Sequence, residues 1–328
     1  MGTGRERLSV AIIGCGAWGA NLARCFAELG ALKAVADRSA DRATVLAAKH
    51  DCADGTPESV ILDPAIDALA IATPPSSHYA LAAAGLERGK HVLVEKPLTL
   101  HRPESEALAR DAEARGRVLM VGHILRYHPA FEALLHLVRD GALGELRRIH
   151  ASRLNLGAIR REEDALWCLA PHAVSMLLAL AGEMPEHVEG FDEKVLGREP
   201  ADAAAVRLGF PSGLSAMIQV SWLHPVKEHR LSVIGSKAMA VFDDTKPWEE
   251  KLVLCRHQIG DDLAIARGDP EPVPLEPGEP LKAECRHFLD SITTGATPLT
   301  DAREALAVMD VLARAEAAIR ETRTALVP

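Results

Sequence analysis

The sequence predicts an α/β protein with two domains: a doubly wound parallel sheet, followed by an α+β domain built on a large open antiparallel sheet. Its 328 residues are about twice the ~150 that one domain typically holds. Early strands are apolar throughout and alternate with helical patterns, which is typical of a parallel sheet covered on both faces. Later strands alternate apolar and polar residues, as antiparallel strands with one solvated face do. We therefore expect domains at 1–122 and 123–328.

The first domain is expected to consist of strands separated by helices with clear start signals. Ser39 can cap a helix that runs through about Lys49. Thr56, Pro57 and Glu58 together give an N-cap, a proline at the first helical position and an acid in the first turn. The predicted strands are Leu8–Ile13, Leu32–Ala36, Ala68–Ala72, His91–Val94 and Val118–Val121.

The second domain is expected to begin with a helix at Pro129–Val138 and to include an uncharged helix at about Leu166–Leu180. Residues 267–280 are rich in Pro, Glu and Gly and are predicted to form a surface loop. The predicted strands are Leu146–Leu154, Ala203–Phe210, Leu214–Trp222, His229–Gly235 and Ala238–Phe242. Because few helices remain to cover both faces of this sheet, we expect subunits to pair through it.

Composition and charge exclude several classes of protein. Hydrophobic residues make up 48% of the chain, which is enough for a full core and rules out wholesale disorder. The net charge of -9 provides no basic field to recruit nucleic acid or an anionic membrane. The six cysteines lack Cys-x-x-Cys spacing, so we expect no metal site. No apolar leader precedes Leu8, which favours a cytoplasmic protein.

Three glycines directly after the first strand predict a dinucleotide site. Gly14 permits a tight turn, Gly16 lets a pyrophosphate approach the backbone, and Gly19 allows close packing of helix on strand. The helix N-terminus then offers unpaired N–H groups to the phosphates, the arrangement of a Rossmann domain. Asp37 ends the second strand, where a carboxylate can bind both ribose hydroxyls and favour NAD over NADP. Arg38 leaves this preference open, because it could meet a 2′-phosphate or stack on adenine.

A second motif, Glu95-Lys96-Pro97, follows another strand at the edge where open α/β sheets bind their ligands. A lysine there can hydrogen-bond a reacting hydroxyl and stabilise its developing negative charge. Lys96 is therefore a candidate catalytic residue.

Together with Thr73-Pro-Pro-Ser-Ser-His78, these motifs resemble the glucose–fructose oxidoreductase/inositol dehydrogenase/MocA (Gfo/Idh/MocA) family over essentially the whole chain. The resemblance implies an NAD-dependent sugar dehydrogenase, assembled as a dimer or tetramer, with Lys96 in the catalytic site and Pro97 after a cis peptide. It also implies that the loop from Thr73 to His78 lies by the nicotinamide. The predicted cofactor-binding residues are Gly14, Gly16, Ala17, Trp18, Gly19, Asp37, Arg38, Thr73, Pro74, His78, Glu95 and Lys96.

His172 is the second candidate catalytic residue, with one departure from the family pattern. Many sugar-oxidising members carry an aspartate four residues before the active-site histidine, and Cys168 stands there in this chain. A thiol does not replace a carboxylate as proton acceptor without a large pKa shift. An imidazole suits proton removal near neutral pH, whereas lysine is normally protonated there. His172 is thus the better base, although Lys96 stays an alternative.

The stretch between Ser152 and His172 resembles the subgroup that acts on nucleotide sugars, in particular members that oxidise UDP-N-acetylglucosamine at C3. Guanidinium groups suit a diphosphate, although alternation along Leu146–Leu154 lets only some of that strand's arginines reach one pocket. The resemblance implies a ketone product that an aminotransferase would use in 2,3-diamino sugar synthesis for lipid A. The predicted substrate-binding residues are Lys96, His123, Arg126, Tyr127, Arg153, Asn155, Arg160, Trp167 and His172.

Two alternatives stay open at this point. One is a dehydrogenase of another sugar, such as UDP-N-acetylglucosaminuronic acid, a free aldose or an inositol. The other is a regulator that binds NAD without catalysis, against which the presence of both Lys96 and His172 speaks.

Overall fold

The computed structural model describes residues 8–161, 163–259 and 264–326, which form two compact units. The first unit comprises the chain through Tyr127 and a later segment, Glu279–Leu306. The second comprises His128–Gly278 and the chain from Ala307 onward. The first seven residues, on which the expected lack of a leader rested, lie outside the described part.

The helices and strands are numbered in chain order. The strands are β1 (Val10–Ile13), β2 (Leu32–Ala36), β3 (Ala53–Gly55), β4 (Ala68–Ile71), β5 (His91–Val94), β6 (Leu119–Val121), β7 (Leu146–Leu156), β8 (His187–Glu193), β9 (Ala203–Gly209), β10 (Ser215–Ser221), β11 (Leu223–Gly235), β12 (Ala238–Asp243), β13 (Leu252–Ile259) and β14 (Ile265–Pro272). The helices are α1 (Ala17–Glu28), α2 (Ala40–His50), α3 (Pro57–Leu62), α4 (His78–Glu87), α5 (Arg102–Ala114), α6 (Pro129–Arg139), α7 (Ala165–Ala181), α8 (Pro280–Thr294) and α9 (Ala302–Leu326).

The first unit is built on a parallel six-stranded sheet in the order β3-β2-β1-β4-β5-β6. Every residue of β1 is buried, and its residues point alternately into two apolar clusters. Ile13 belongs to the cluster that includes Leu86 of α4, and Ile12 to the one that includes Phe26 of α1. Helices therefore cover both faces of the sheet, as the uniformly apolar strands predict.

The second unit is built on an eight-stranded sheet in the order β14-β13-β12-β11-β7-β10-β9-β8. Neighbouring strands are antiparallel except β10 and β7, which run parallel. The uncharged helix α7 is mostly buried and contacts β7, β9 and β10. The predicted fold class, a parallel sheet domain followed by an α+β domain with a large open sheet, is confirmed.

Several strands differ from expectation, among them β8 and β13, which were not predicted. Residues 267–280 were expected to be a loop, but 267–272 belong to β14, which pairs with β13. All eight residues of β14 are exposed, so its pairing depends on backbone hydrogen bonds at the sheet edge rather than on an apolar pattern. The short strand β3, which pairs with β2 at the edge of the first sheet, was also not expected because its side chains are largely exposed.

The division of the chain also differs from the expected boundary at residue 122. The first unit continues to Tyr127 and also includes the later segment Glu279–Leu306, which contains α8. Leu281, Cys285 and Phe288 of α8 are buried in the apolar cluster of Phe26. A helical pattern indicates one apolar face but does not indicate which sheet that face will cover.

No helix in 8–161, 163–259 or 264–326 combines the length and apolar character needed to cross a membrane.

Candidate active site

The first unit contains a cavity of about 880 Å³ that the loops after β1, β2 and β4 help to line. Of the residues predicted at the cofactor, eight line this cavity: Gly14, Gly16, Ala17, Trp18, Asp37, Arg38, Thr73 and Pro74. Arg42, Thr56 and Glu58 also line it and were missed. The sequence could have predicted these three residues, because each lies at the start of a helix that follows a neighbouring strand of the same sheet.

The three glycines of the first loop differ in what surrounds them. A Cβ on Gly14, whose φ is +103°, would lie 2.6 Å from the Ala72 carbonyl oxygen. A Cβ on Gly19 would lie 1.7 Å from the carbonyl oxygen of Gly14, so this position packs α1 against the turn. A Cβ on Gly16 would meet no atom within 4 Å. Gly16 is the N-cap of α1 and makes no side-chain cap, which leaves the helix N-terminus available to an anion.

Asp37 is held in place at the end of β2 by two backbone amides. The N–H groups of Cys15 and Ser39 each donate to one of its carboxylate oxygens, both at 2.8 Å. Burial alone would raise the pKa of this carboxyl, but the two amide donors outweigh burial and hold the pKa below its ordinary value. Asp37 is therefore anionic at neutral pH, with lone pairs left for ribose hydroxyls. A carboxylate in this position disfavours a 2′-phosphate.

Glu95 supports the cavity wall rather than lining the cavity. One of its oxygens accepts a hydrogen bond from the indole of Trp18, and the other accepts the Lys96 N–H at 3.3 Å. A Cβ at Gly122, the residue after β6, would lie 2.9 Å from the same carboxylate, so this glycine leaves room for it. Burial raises the pKa of Glu95 to about 7. Lys96 follows directly and is joined to Pro97 by a cis peptide, as the resemblance implies.

His78 is buried and joins two loops. Its Nδ1 lies 2.8 Å from the Pro97 carbonyl oxygen, and its Nε2 lies 2.9 Å from the Thr73 carbonyl oxygen. Burial lowers the pKa of this imidazole, while the two carbonyl contacts act in the opposite direction. The sequence predicts His78 among the cofactor-binding residues; in the structure it fixes the backbone of Thr73, which lines the cavity.

Three residues predicted at the substrate follow β6 and contact the later segment of the first unit. His123 is buried, and its Nδ1 lies 2.6 Å from an oxygen of Glu304. Arg126 lies 3.6 Å from the other oxygen of Glu304, and the hydroxyl of Tyr127 lies 2.8 Å from that of Thr300. These partners could not be predicted from the sequence, because they lie more than 170 residues further along the chain.

The other predicted substrate residues lie in the second unit. His172 is partly buried in α7, directly after Pro171 and one helical turn from Cys168. Trp167 donates from its indole to Glu316 at 3.3 Å. Arg160 lines a cavity of about 510 Å³ with Ile159, Arg161, Arg198 and Glu199.

Asn155 and Arg153 lie on β7 in the same unit. The side chain of Asn155 lies against Gly157, where a Cβ would come within 2.7 Å of its amide nitrogen. Arg153 is partly buried, unlike the exposed Arg147 and Arg148 of the same strand. Arg153 therefore differs from the other two arginines of this strand in being shielded from solvent.

Comparison with known proteins identifies two family domains in the chain. The NAD-binding Rossmann-fold model of the Gfo/Idh/MocA oxidoreductase family matches residues 8–123. The Gfo/Idh/MocA C-terminal domain model matches residues 131–241.

Individual relatives match both units. UDP-N-acetylglucosamine 3-dehydrogenase of Acidithiobacillus ferrooxidans is 30% identical over 282 residues, 86% of this chain and 87% of that protein. The solved structure of the enzyme from that organism, GnnA, has a TM-score of 0.87 at 27% identity and covers 97% of this chain and 99% of its own. Trans-1,2-dihydrobenzene-1,2-diol dehydrogenase of Sus scrofa is 27% identical over 316 residues, 88% of this chain and 89% of that protein. GenD2 from gentamicin A biosynthesis, solved in complex with NAD, shares the fold with a TM-score of 0.82 at 23% identity, over 97% of this chain and 95% of that chain.

Proposed function

Since the chain belongs to the Gfo/Idh/MocA family and is an NAD-dependent sugar dehydrogenase, we propose that it oxidises the C3 hydroxyl of UDP-N-acetylglucosamine to UDP-3-keto-N-acetylglucosamine. The observation that carries this proposal is the likeness to UDP-N-acetylglucosamine 3-dehydrogenase over 86% of the chain. That likeness includes the second unit, where most of the predicted substrate residues lie. The proposal includes a cytoplasmic homodimer or homotetramer that pairs through the second sheet.

The cavity of the first unit fits the cofactor. Gly16 leaves space at the uncapped N-terminus of α1 for a pyrophosphate, and Asp37 presents an anionic carboxylate for ribose. When bound, NAD supplies the acceptor for the hydride that leaves the ring carbon. His78 and Glu95 position the Thr73 loop and Trp18 around it.

In the proposed mechanism His172 accepts the proton of the sugar hydroxyl. An imidazole has an ordinary pKa of about 6.5, which suits a base near neutral pH. Lys96 hydrogen-bonds the same oxygen and stabilises its negative charge as the hydride departs. Cys168 takes the place of the aspartate common in this family, so His172 acts without that carboxylate.

The guanidinium groups beside the second cavity are one candidate site for the diphosphate of the nucleotide. Arg160, Arg161 and Arg198 all line that cavity, with Glu199 as its one carboxylate among the described residues. Forked donors of this kind bind phosphate oxygens in pairs. The ketone product would then be a substrate for an aminotransferase, which fits a role in 2,3-diamino sugar synthesis for lipid A.

The test is NADH formation, followed by absorbance, with enzyme near the substrate concentration. NAD+ is mixed separately with UDP-N-acetylglucosamine, its uronic acid, free sugars and inositol, with an aminotransferase and glutamate present to draw off the ketone. We expect NADH with UDP-N-acetylglucosamine and a 3-keto product. NADH with another sugar alone would contradict the proposed substrate, and saturable NAD binding without NADH from any sugar would indicate a regulator.

A further inference from the structure

Arg153 presents an unusual electrostatic environment within the second unit. It lies near the end of β7, opposite Val220 of β10 on one side and His229 of β11 on the other. Its Nε is fully buried, and no group in the described ranges accepts a hydrogen bond from it. Burial lowers the pKa of the guanidinium, and the charge of Asp244 acts in the opposite direction.

The neighbouring groups compensate this charge only in part. Burial, followed by the repulsion of Arg153 and Lys227, lowers the pKa of His229 to about 4, so the ring is neutral at pH 7. Asp244 is the carboxylate whose field acts on Arg153, yet it is already engaged. It accepts a hydrogen bond from Lys251 at 3.0 Å and lies 3.3 Å from Nε2 of His128.

A partly buried cation without an anion is unfavourable, because it loses its hydration and gains no partner. Arg147 lies on the same face of β7 but is exposed, so water solvates its charge. Water therefore stabilises the charge of Arg147, but the buried Nε of Arg153 is not solvated in this way. Arg153, whose Nε is buried and has no acceptor among the described residues, is prepared for an anion that arrives with a ligand.

We propose that Arg153 and His229 form an oxyanion-binding site that selects substrates carrying a phosphate or carboxylate group over neutral sugars. The guanidinium donates two charge-assisted hydrogen bonds to the oxyanion, and the neutral imidazole of His229 donates a third. This inference rests on the proposed function and sharpens its substrate class. The anion is either the diphosphate of a nucleotide sugar or the carboxylate of a uronic acid.

The first test uses thermal unfolding of the whole protein with inorganic phosphate, UDP, glucuronate and neutral N-acetylglucosamine as probes. We expect at least one anionic probe to raise the Tm of the wild type by several degrees, and Arg153→Met to abolish that shift. A shift with UDP and phosphate identifies the diphosphate, and a shift with glucuronate alone identifies the carboxylate. Arg147→Met, on the same face of the same strand, should respond like the wild type.

The same variants distinguish a ligand site from a structural arginine. Without probes, Arg153→Met should unfold at the wild-type Tm or above it, because an unpaired buried charge has been removed. A lower Tm, or anion shifts equal in Arg153→Met and the wild type, would overturn the proposal. Arg153→Lys provides a second variant, which keeps the positive charge but loses the paired guanidinium donors. It should reduce the rise in Tm that anions cause.

Activity separates this inference from the proposed function. If the wild type does not oxidise UDP-N-acetylglucosamine but anions still stabilise it through Arg153, the proposed substrate fails and the oxyanion site stands. If UDP or phosphate stabilises the wild type through Arg153 but Arg153→Met oxidises that substrate with unchanged kcat/KM, the site does not serve the diphosphate of the substrate, so the oxyanion site is refuted as a substrate-selecting site and the proposed function stands. We expect a loss of at least tenfold in kcat/KM in this variant, with NAD affinity unchanged.

Discussion

At the scale of single residues, Gly16 and Gly19 should respond in opposite ways to the same added methyl group. In Gly16→Ala the new Cβ meets no atom of the protein, so the Tm should stay near that of the wild type. It would occupy space that the pyrophosphate needs, so NAD affinity should fall about tenfold or more. Calorimetric titration with NAD and thermal unfolding measure the two effects.

Gly19→Ala is the matched comparison. Its Cβ would lie 1.7 Å from the Gly14 carbonyl oxygen, so α1 must move away from the turn. We expect destabilisation of about 1–3 kcal/mol, the usual range for overpacking, or failure to fold. A normal Tm for Gly19→Ala would contradict this close packing of α1 on the turn. Normal NAD binding by Gly16→Ala would show that this loop does not hold the phosphates as we describe.

Lys96→Met tests the catalytic role assigned to the lysine after β5. Removing a group that stabilises the developing alkoxide should lower kcat about 10²–10⁴-fold. The Kd for NAD should change little, because the residues that line the cofactor cavity stay in place. Lys49→Met, a change at an exposed position of α2, is the control. Equal losses in kcat and NAD affinity would indicate that Lys96 is structural.

Residue-level patterns in the sequence locate residues of one cavity where a position in the chain dictates a backbone geometry. The glycine spacing and the strand end at Asp37 locate residues that do line the cavity. The sequence was less informative for His78 and Glu95, which follow strands at the same edge but support the cavity from behind its lining residues. A sequence shows that a residue follows a strand, but the direction of its side chain depends on how the loop packs.

At the scale of elements, α8 carries a buried acid that should make stability depend on pH. Glu284 is 0% exposed, and neither of its oxygens has a hydrogen-bond partner within the part of the chain that the structure describes. Burial, and then the charge of Glu95, raise its pKa well above the ordinary value. In the unfolded chain the carboxyl ionises at about 4.3. The free energy of unfolding should therefore fall as pH rises above that value, by up to about 1.4 kcal/mol per pH unit.

Glu284→Gln removes the ionisation while keeping the shape of the side chain. We expect the variant and the wild type to be similar near pH 4.5 and the variant to be the more stable at pH 8, as measured by urea unfolding. Glu87→Gln, at an exposed position of α4, should follow the wild type at both pH values. If the pH dependence of Glu284→Gln matched that of the wild type, the raised pKa of this residue would be refuted.

The elements that could be predicted from sequence are those with a strong apolar pattern. The strands β1 and β4 are buried at every residue, and both were expected. The strands at the two edges of the second sheet, β8 and β14, were not. Edge strands can be polar and can contain proline, as β14 does at Pro270 and Pro272, so their sequences resemble loops.

At the scale of the whole molecule, the two units alternate along the chain instead of following one another. After Tyr127 the chain forms most of the second unit, and it then returns to the first unit for the segment Glu279–Leu306. The helix α9 begins in the first unit and continues in the second. Sequence patterns predicted two domains but not this return, because local periodicity carries no information about contacts between residues 250 positions apart.

This organisation predicts that NAD will stabilise a helix far from its binding loop in sequence. Phe288 of α8 is fully buried and packs edge-to-face on Phe26 of α1, with ring centroids 6.4 Å apart. If both segments unfold as one cooperative unit, NAD at 100 times its Kd should stabilise both by about 2.7 kcal/mol.

Hydrogen exchange measures this coupling directly. Slowly exchanging amides of α8 should gain about the same protection, near 100-fold, as those of β1 when NAD is added. Phe288→Ala provides the complementary change, since it should cost about 3–5 kcal/mol and reduce protection in β1 as well as in α8. Protection by NAD that reached β1 but not α8 would mean that the returning segment folds independently of the Rossmann sheet, and the first unit would then end at Tyr127. Equal protection would mean that the cofactor-binding unit is complete only after the chain has passed through most of the second.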